Sequence, residues 1–284
     1  MSAKLYIVGT PIGNLGDISP RALETLSSVD FIAAEDTRVT SKLLNYFEIK
    51  KPLISYFEHN KREKGEIILS RILSGESCAL VTDAGMPAIS DPGEDLVALA
   101  HEKGVLVESV PGPTAVTTAL ALSGMPSGRF CFEGFLSVNK ISRKEHLDSL
   151  KTETRTMIFY EAPHKLLNTL KDMEATFGDR EIAIVKELTK VHENVFKTTL
   201  SAAVSYFTEN APKGEFVLIL KGAEKEEKTE FTLEDAVKIA KNLIAEGVKA
   251  SDAAKQAAKL TGIKKGDVYK AVLDCFYLLI SQPL

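Results

Sequence analysis

Short apolar runs alternate with longer amphipathic segments over roughly the first 220 residues, and this alternation restricts the possible folds more than any other feature. The predicted strands are LYIVG, DFIAAE, PLISYF, CALVTD, VLVESV, FCFEGF, RTMIFY, EIAIVK, ENVFKTT and EFVLILKG. Between many of them lie predicted helices such as SPRALETLSSV, in which Ser19 can cap the helix and Pro20 takes its first position. GEIILSRILSG and HKLLNTLKDMEATFG have apolar residues at helical spacing and stop at glycine. This order predicts an α/β protein built on largely parallel sheets.

Two breaks divide the pattern. SGMPSGR and the polar, basic LSVNKISRKE interrupt it between residues 125 and 150, and the charged KGAEKEEKTE at 221–230 is typical of a linker. Beyond it the periodicity is purely helical, and Gly262 lies where a helix-turn-helix pair would bend. Packing of these helices on the main body or on a dimer partner explains them equally well. We predict α/β domains at 1–125 and 126–222 and a helical C-terminal extension at 231–284.

The composition excludes several classes of protein. Of 284 residues, 44% are hydrophobic and 26% are charged, and no run of about 18 apolar residues predicts a membrane span. KLYIVGT at the N-terminus favours a strand over a signal peptide. Cys78, Cys131 and Cys275 are dispersed and the histidines show no ligand spacing, so we expect a metal-free cytoplasmic protein. A net charge of −4 means that any contact with nucleic acid needs a local basic patch.

Three glycine- and proline-rich loops follow predicted strands in the first half: GTPIGNLGDIS at 9–19, the end of ALVTDAGMPAISDPG at 79–93, and VPGPTAVTTALALSG at 110–124. Ligands of open α/β sheets bind at the carboxyl ends of strands, so these loops are candidate binding elements. The first loop matches neither the dinucleotide fingerprint nor the phosphate loop, and an ordinary strand-to-helix turn explains it about equally well. A stiff loop presents its backbone groups to a ligand at little ordering cost, which favours binding by the second.

Charged residues also follow strands directly. Glu35, Asp36 and Arg38 lie where a predicted strand ends and a helix begins, and a capping aspartate that is ion-paired to the arginine is an equally good explanation. In the second half, IFYEAPHK at 158–165 and KELTKVHE at 186–193 repeat this arrangement. A ligand lying between two sheets would need contacts from both halves.

Taken in order, GTPIGNLGDIS, AEDTR, TDAGMPAISDPG, VPGPTA, FYEAPHK, KELTK.HE and GEFVLIL resemble the motif series of the ribosomal RNA small subunit methyltransferase I family. That family belongs to the tetrapyrrole-methylase-like, class III S-adenosylmethionine methyltransferases. The resemblance covers about residues 4–221, and the helices after residue 230 also resemble that family's C-terminal extension.

The resemblance implies two α/β domains with S-adenosyl-L-methionine in the cleft between them, and a homodimer. It further implies rRNA processing by 2′-O-methylation of a cytidine ribose in the decoding region of 16S rRNA, within the small ribosomal subunit and the bacterial cytoplasm. Carried over by position, the implied cofactor contacts are Pro11, Asp83, Ala84, Gly85, Met86, Thr114, Ala115, Glu161 and Leu188, followed by Gly214, Glu215 and Phe216 at a strand edge.

Transfer of a methyl group to a ribose hydroxyl releases a proton, and a positioned base can accept it. A carboxylate is already ionised at neutral pH, so we predict that Asp91, Glu35 or Asp36 is this catalytic base. A lysine, Lys186 or Lys190, would first need its pKa lowered by burial.

Contacts with RNA phosphates require basic side chains. HNKREKG at 59–65, NKISRK at 139–144 and the lysine-bearing helices after residue 230 supply candidates, although each also fits a solvated surface. The predicted RNA-binding residues are Arg38, Lys61, Arg62, Arg143 and Lys144.

Other functions compete with this one. A tetrapyrrole-precursor or diphthine-type methylase would share the fold, but we expect the former to lack AEDTR and the terminal helices. A metal-dependent phosphoryl-transfer enzyme would use Asp36, Asp83 and Asp91 as magnesium ligands. A non-catalytic RNA-binding module would transfer no methyl group.

Overall fold

The computed structural model describes residues 3–224 and 231–280, without the side chains of 275–280. Most of the predicted linker at 221–230 and the side chain of Cys275 therefore lie outside the described residues. The chain divides into two compact units, residues 1–224 and 225–284. The first unit contains two five-stranded sheets, and the second is helical. Within the described ranges, every helix is too short or too polar to span a membrane.

The first sheet is entirely parallel, in line with the prediction of largely parallel sheets. Its strands follow the spatial order β3 (Leu53–Ser55), β2 (Phe31–Ala34), β4 (Cys78–Val81), β1 (Lys4–Val8) and β5 (Leu106–Val110). Helices cover both faces, and two clusters of buried apolar side chains lie against it. Ser19 caps the first helix through its hydroxyl, as predicted, and Pro20 opens that helix. The strands and helices of this half are β1 Lys4–Val8, α1 Pro20–Ser28, β2 Phe31–Ala34, α2 Thr37–Tyr46, β3 Leu53–Ser55, α3 Lys61–Leu73, β4 Cys78–Val81, α4 Gly93–Glu102, β5 Leu106–Val110 and α5 Ala115–Ser123.

The strands of the second sheet follow the spatial order β6 (Phe130–Phe135), β7 (Thr156–Glu161), β10 (Phe216–Leu220), β8 (Glu181–Lys186) and β9 (Asn194–Thr199). Only the neighbours β6 and β7 are parallel. The prediction of a largely parallel sheet is therefore wrong here, because β10 runs antiparallel to β7 and β8, and β9 runs antiparallel to β8. Helix α5 packs on this sheet through Val116, Ala119 and Leu120, although it directly follows the first sheet; the boundary at residue 125 stays a prediction. The elements are β6 Phe130–Phe135, α6 Lys140–Ser149, β7 Thr156–Glu161, α7 Pro163–Phe177, β8 Glu181–Lys186, β9 Asn194–Thr199, α8 Leu200–Glu209 and β10 Phe216–Leu220.

The C-terminal unit consists of α9 Leu233–Ala245, α10 Ala250–Thr261 and α11 Lys265–Ile280, as the helical periodicity predicts. Small alanine side chains and the valines Val237, Val268 and Val272 form the buried core of its described residues. A capping box joins Thr232 and Asp235 at the start of α9. Gly262 adopts a left-handed conformation that ends α10, which places it at the predicted bend.

Three loops of the first half meet at the carboxyl end of its sheet. The backbones of Gly9 and Gly112 touch, since a Cβ atom added to Gly112 would lie 2.9 Å from the Gly9 backbone. Thr10 and Gly85 form a two-way bridge, with N–H···O distances of 2.9 and 3.1 Å. Glycine is required at Gly9 and Gly112 because any side chain would force the loops apart.

We predict that Gly112→Ala destabilises the fold by about 1–3 kcal/mol, because overpacking at a rigid backbone contact costs this much. Gly128→Ala is the matched control: a Cβ atom there has no neighbour within 4 Å, so the free energy of unfolding should change by less than about 0.5 kcal/mol. Urea unfolding measures both. Equal stability of the two variants would show that the Gly9–Gly112 contact is not tight.

Candidate functional site

A cavity of about 530 Å³ lies between the carboxyl end of the first sheet and one face of the second. Strands β2 and β4 of the first sheet lead into it, and β7, β8 and β10 of the second sheet supply the opposite wall. Both halves therefore contribute side chains. The lining residues are Ile12, Glu35, Thr82, Asp83, Ala84, Ile89, Ser90, Asp91, Ala115, Phe135, Tyr160, Glu161, Ala162, Pro163, Val185, Leu188, Glu215, Phe216 and Val217.

Adjacent parallel strands bring Glu35 and Asp83 together at the cavity floor. The carboxylate of Glu35 accepts from the Thr82 hydroxyl at 2.6 Å and from the Asp83 N–H at 3.4 Å. Asp83 in turn accepts from the Asp36 N–H at 3.1 Å. Desolvation and the nearby charge of Glu35 raise the pKa of Asp83. These hydrogen bonds fix two like charges side by side, an arrangement that favours a cationic ligand.

Asp91 lies in the same loop and faces the cavity. Its Oδ1 accepts from the N–H groups of Ala88 at 3.0 Å and Gly93 at 2.8 Å. Its Oδ2 is buried and has no hydrogen-bond partner among the described residues. Burial raises the pKa of this carboxyl group. A buried oxygen without a partner costs free energy, which a hydrogen-bond donor brought to Oδ2 would recover.

The second half contributes Glu161, at the end of β7 and only 3% exposed. One of its oxygens accepts from the Ala162 N–H at 2.8 Å and the other from the Thr169 hydroxyl at 2.5 Å. Glu215 at the rim differs, because Lys190 pairs with it at 2.9 Å and with Glu187 at 3.0 Å. Lys190 is therefore held by two carboxylates.

The charges of the cavity have one sign. Five carboxylates line it, and removing the paired Glu215 leaves four, those of Glu35, Asp83, Asp91 and Glu161. Within the described part of the chain, no lysine, arginine or histidine lines the cavity, and none of the four is in an ion pair. The other lining residues are mostly apolar. The arrangement suits a ligand that is partly flat and apolar and carries positive charge.

The two loops that border the cavity both contain left-handed residues other than glycine. Ala88 and Ser90 have φ of 67°, and Glu187 and Thr189 have φ of 52° and 62°. Such conformations cost about 1–3 kcal/mol each and concentrate at functional sites. The surrounding structure therefore forces both loops into their shapes.

The structure brings together most of the cofactor contacts implied by the resemblance. Asp83, Ala84, Ala115, Glu161 and Leu188 line the cavity, as do Glu215 and Phe216, together with the candidate bases Asp91 and Glu35. Others shape the loops instead. Gly85 forms the bridge to Thr10, Met86 packs beside Gly9, Pro11 is buried and Thr114 caps α5, and neither they nor Gly214 line the cavity.

Asp36 does not fit the role of base. Its Oδ1 caps α2 by accepting from the Arg38 N–H at 2.8 Å, and both carboxylate oxygens bind the Arg38 guanidinium. These bonds lower the pKa of Asp36 to about 2, so it is a poor proton acceptor at neutral pH. The capping and ion-pairing explanation is correct for this pair.

Three of the predicted RNA-binding residues, Arg38, Lys61 and Arg143, are in ion pairs. The Lys61 ammonium lies 2.8 Å from Glu58 and 2.7 Å from Asp95. Arg143 binds Asp172 at 2.7 Å, and its side chain is only 15% exposed. Lys61 and Arg143 are the more shielded of the paired residues, and their role as phosphate contacts stays a prediction. Arg62 and Lys144 are exposed, and Arg38 is 86% exposed although paired.

Several lining residues were not predicted. Ile12, Ile89 and Ser90 lie in the loops that the sequence singled out, and Tyr160, Ala162 and Pro163 lie in FYEAPHK, so the motifs contained the signal. Val185, Val217 and Phe135 come from strands, where periodicity alone does not reveal which face meets a ligand.

The magnesium hypothesis required Asp36, Asp83 and Asp91 to converge. In residues 3–224 and 231–274, no group of three or more His, Cys, Asp or Glu side chains is placed to hold a metal ion. The hypothesis therefore gains no support from the donor geometry.

Two family models match the chain. Tetrapyrrole (Corrin/Porphyrin) Methylases match residues 4–204, and the RsmI C-terminal HTH domain matches residues 232–275. Among solved structures, a diphthine synthase has a TM-score of 0.59 at 16% identity, covering 77% of this chain and 90% of its own. Uroporphyrin-III C-methyl transferase from Thermus thermophilus, complexed with S-adenyl homocysteine, has a TM-score of 0.55 at 18% identity. The match covers 76% of this chain and 97% of that protein's chain. At these identities the likeness establishes the fold.

Several relatives are named ribosomal RNA small subunit methyltransferase I, and three of them illustrate the similarity. The one from Synechocystis sp. is 47% identical over 95% of this chain and 97% of its own. The one from Bacillus subtilis is 44% identical over 94% and 93%, respectively. The one from Thermotoga maritima is 50% identical over 78% of this chain and 99% of its own.

The charge of Asp91 predicts a pH-dependent stability. Because burial raises its pKa above the unfolded value, the folded state binds this proton more tightly, and stability falls as the pH rises between the two values. Asp91→Asn keeps an acceptor for Ala88 and Gly93 but removes the charge. We expect the variant to unfold at an equal or higher urea concentration than the wild type at pH 7, and the two to converge below about pH 4. A variant that is clearly less stable at pH 7 would show that the carboxylate is paired.

Proposed function

Because the chain belongs to the ribosomal RNA small subunit methyltransferase I family of tetrapyrrole methylases, we propose that it methylates the 2′-hydroxyl of a cytidine ribose in the decoding region of 16S rRNA. The methyl donor is S-adenosyl-L-methionine. The observation that carries the proposal is the cavity between the two sheets, with its four unpaired carboxylates and no lining cation among the described residues. The names of the relatives favour RNA over a tetrapyrrole or diphthine substrate.

The lining fits the donor. S-adenosyl-L-methionine carries a sulfonium and an ammonium group, and carboxylates stabilise both by charge. We assign Asp83 and Glu161 to these groups or to the ribose hydroxyls, because they face the cavity from opposite halves. Ala84, Ala115 and Leu188 offer small or apolar surface for the adenine ring.

When bound, S-adenosyl-L-methionine supplies a methyl group that is already activated by its positive sulfur. The protein then has to align the ribose hydroxyl and remove its proton; alignment alone can contribute about 7–11 kcal/mol. Asp91 is our choice of base, because its Oδ2 has no partner and its raised pKa makes it a stronger acceptor than an ordinary carboxylate. Glu35 is already hydrogen-bonded to Thr82 and is assigned to holding the floor of the cavity.

The partners extend the proposal. The small ribosomal subunit is the assigned source of RNA, the bacterial cytoplasm the location, and a homodimer the oligomeric state, all three implied by the family resemblance. Exposed Arg62 and Lys144 remain the phosphate contacts, and Arg38 lies near the cavity floor because its partner Asp36 donates to Asp83.

The proposal is tested by mapping the transferred methyl group. The protein is incubated with labelled S-adenosyl-L-methionine and small ribosomal subunits that lack the modification, and the labelled nucleotide is identified by nuclease mapping and mass spectrometry. We expect the label on the ribose of a decoding-region cytidine. An RNA with 2′-deoxycytidine at that position should accept none. Label on a base, or on no RNA at all, would refute the proposal.

We predict that Asp91→Asn lowers kcat for methyl transfer by about 10²–10⁴-fold, the usual contribution of a general base. Its affinity for S-adenosyl-L-methionine, measured by calorimetry, should change little. Asp36→Asn is the control, because asparagine also caps helices well and Asp36 lies outside the cavity lining; its kcat should stay within about threefold. If Asp91→Asn retained full activity, Asp91 would not be the base.

A further inference from the structure

Two exposed apolar side chains lie among the residues that line the cavity. Ile89, from the loop after β4, is 51% exposed, and Phe135, the last residue of β6, is 57% exposed, although both line the cavity. We call this pair the cavity mouth. One member comes from each half of the unit, so the mouth spans the gap between the two sheets.

A β-bulge turns Phe135 toward the cavity. The register along β6 runs from Phe132 opposite Ile158 to Gly134 opposite Phe159, so Glu133 is an extra residue, and Gly134 has φ of 64°. Without the bulge, Phe132 and Phe135 would point to opposite faces, because side chains alternate along a strand. Instead both rings lie against Tyr160, with centroid distances of 4.9 and 5.3 Å.

The other side of the mouth is also held in an unusual conformation. Ile89 lies between Ala88 and Ser90, both left-handed with φ of 67°. A Cβ atom on Gly134 would lie 3.6 Å from the Ser90 Oγ, so the bulge of β6 packs beside this loop. Two backbone irregularities, one in each half, thus place apolar surface at the same opening.

The chemistry of the mouth and its place beside Asp91 in the chain indicate its ligand. Asp91, the assigned proton acceptor, is two residues from Ile89 in the chain. A nucleotide whose ribose hydroxyl reaches Asp91 therefore has its nucleobase near the mouth. A base within a stacked helix could not reach this position, and enzymes that act on such nucleotides extrude them and stack the base on aromatic or apolar side chains. We propose that Phe135 and Ile89 clamp the unstacked base of the target nucleotide, an inference that rests on the proposed function.

The clamp is tested with Phe135→Ala on two RNA substrates, one intact and one whose target nucleotide keeps its 2′-hydroxyl but lacks its base. Loss of base stacking on an aromatic ring typically weakens binding by about 10–100-fold, so kcat/KM of the variant on intact RNA should fall by that factor. The kcat/KM of the wild type should be lower on the base-free RNA than on intact RNA by about the same factor. The kcat/KM of the variant should be no lower on base-free RNA than on intact RNA. RNA affinity without the donor should fall in parallel.

Phe130→Ala is the matched control, because Phe130 is an exposed phenylalanine (38%) at the opposite end of the same strand. Its kcat/KM on each of the two RNA substrates should equal that of the wild type. Phe135→Tyr should retain most of the wild-type rate. Circular dichroism and affinity for S-adenosyl-L-methionine report whether Phe135→Ala remains folded.

Three results would contradict the clamp. If wild type methylates the RNA and a folded Phe135→Ala variant is within twofold of it, the clamp is wrong and the proposed function stands. The clamp would also be wrong, with the proposed function intact, if the effects of the Phe135→Ala substitution and of removing the nucleobase on kcat/KM multiplied. If the wild type transfers no methyl group to any RNA, the proposed function and the clamp fail together.

Discussion

The backbone contact between Gly9 and Gly112 is the constraint on which the rest of the site depends. It lets the loops after β1 and β5 approach closely, and the Thr10–Gly85 bridge ties the loop after β4 to them. Asp83 and Asp91 both lie in that third loop. Their positions are therefore set by the parallel sheet beneath them and need no ligand to define them. A site prepared in this way lowers the ordering cost of binding.

The same site lowers the stability of the folded state. Four carboxylates share one cavity, and like charges held close together oppose folding. The protein offsets part of this cost by directing backbone N–H groups and hydroxyls at the oxygens: Thr82 serves Glu35, Thr169 and Ala162 serve Glu161, and two loop amides serve Asp91. Among these four carboxylates, as far as the structure describes them, only the second oxygen of Asp91 is both buried and without a donor. Burial without a donor thus distinguishes the carboxylate of Asp91, the proposed base, from the other three.

The sequence predicts the strands and helices well, since each depends on local periodicity and on caps such as Ser19. It fails where distant segments decide the outcome. The antiparallel insertion of β10 between β7 and β8 depends on residues far apart in the chain, and no local pattern encodes it. The same holds for Lys61 and Arg143. In the sequence they are cations without an evident partner, and only the fold brings Asp95 and Asp172 next to them. Phe135 was missed because a bulge at Gly134 reverses the expected alternation.

The acidic cavity raises the question of how a chain with net charge −4 admits RNA at all. Phosphates close to the four carboxylates would be repelled, and at physiological salt this repulsion extends about 8 Å. A nucleotide can still enter if its base and ribose precede its phosphates. In the proposed arrangement, the apolar mouth at Ile89 and Phe135 would take the uncharged part of a nucleotide and leave its phosphates outside the cavity. Under the proposed function, the negative cavity therefore selects the positively charged donor and at the same time excludes the RNA backbone, so that one charge distribution separates the two substrates.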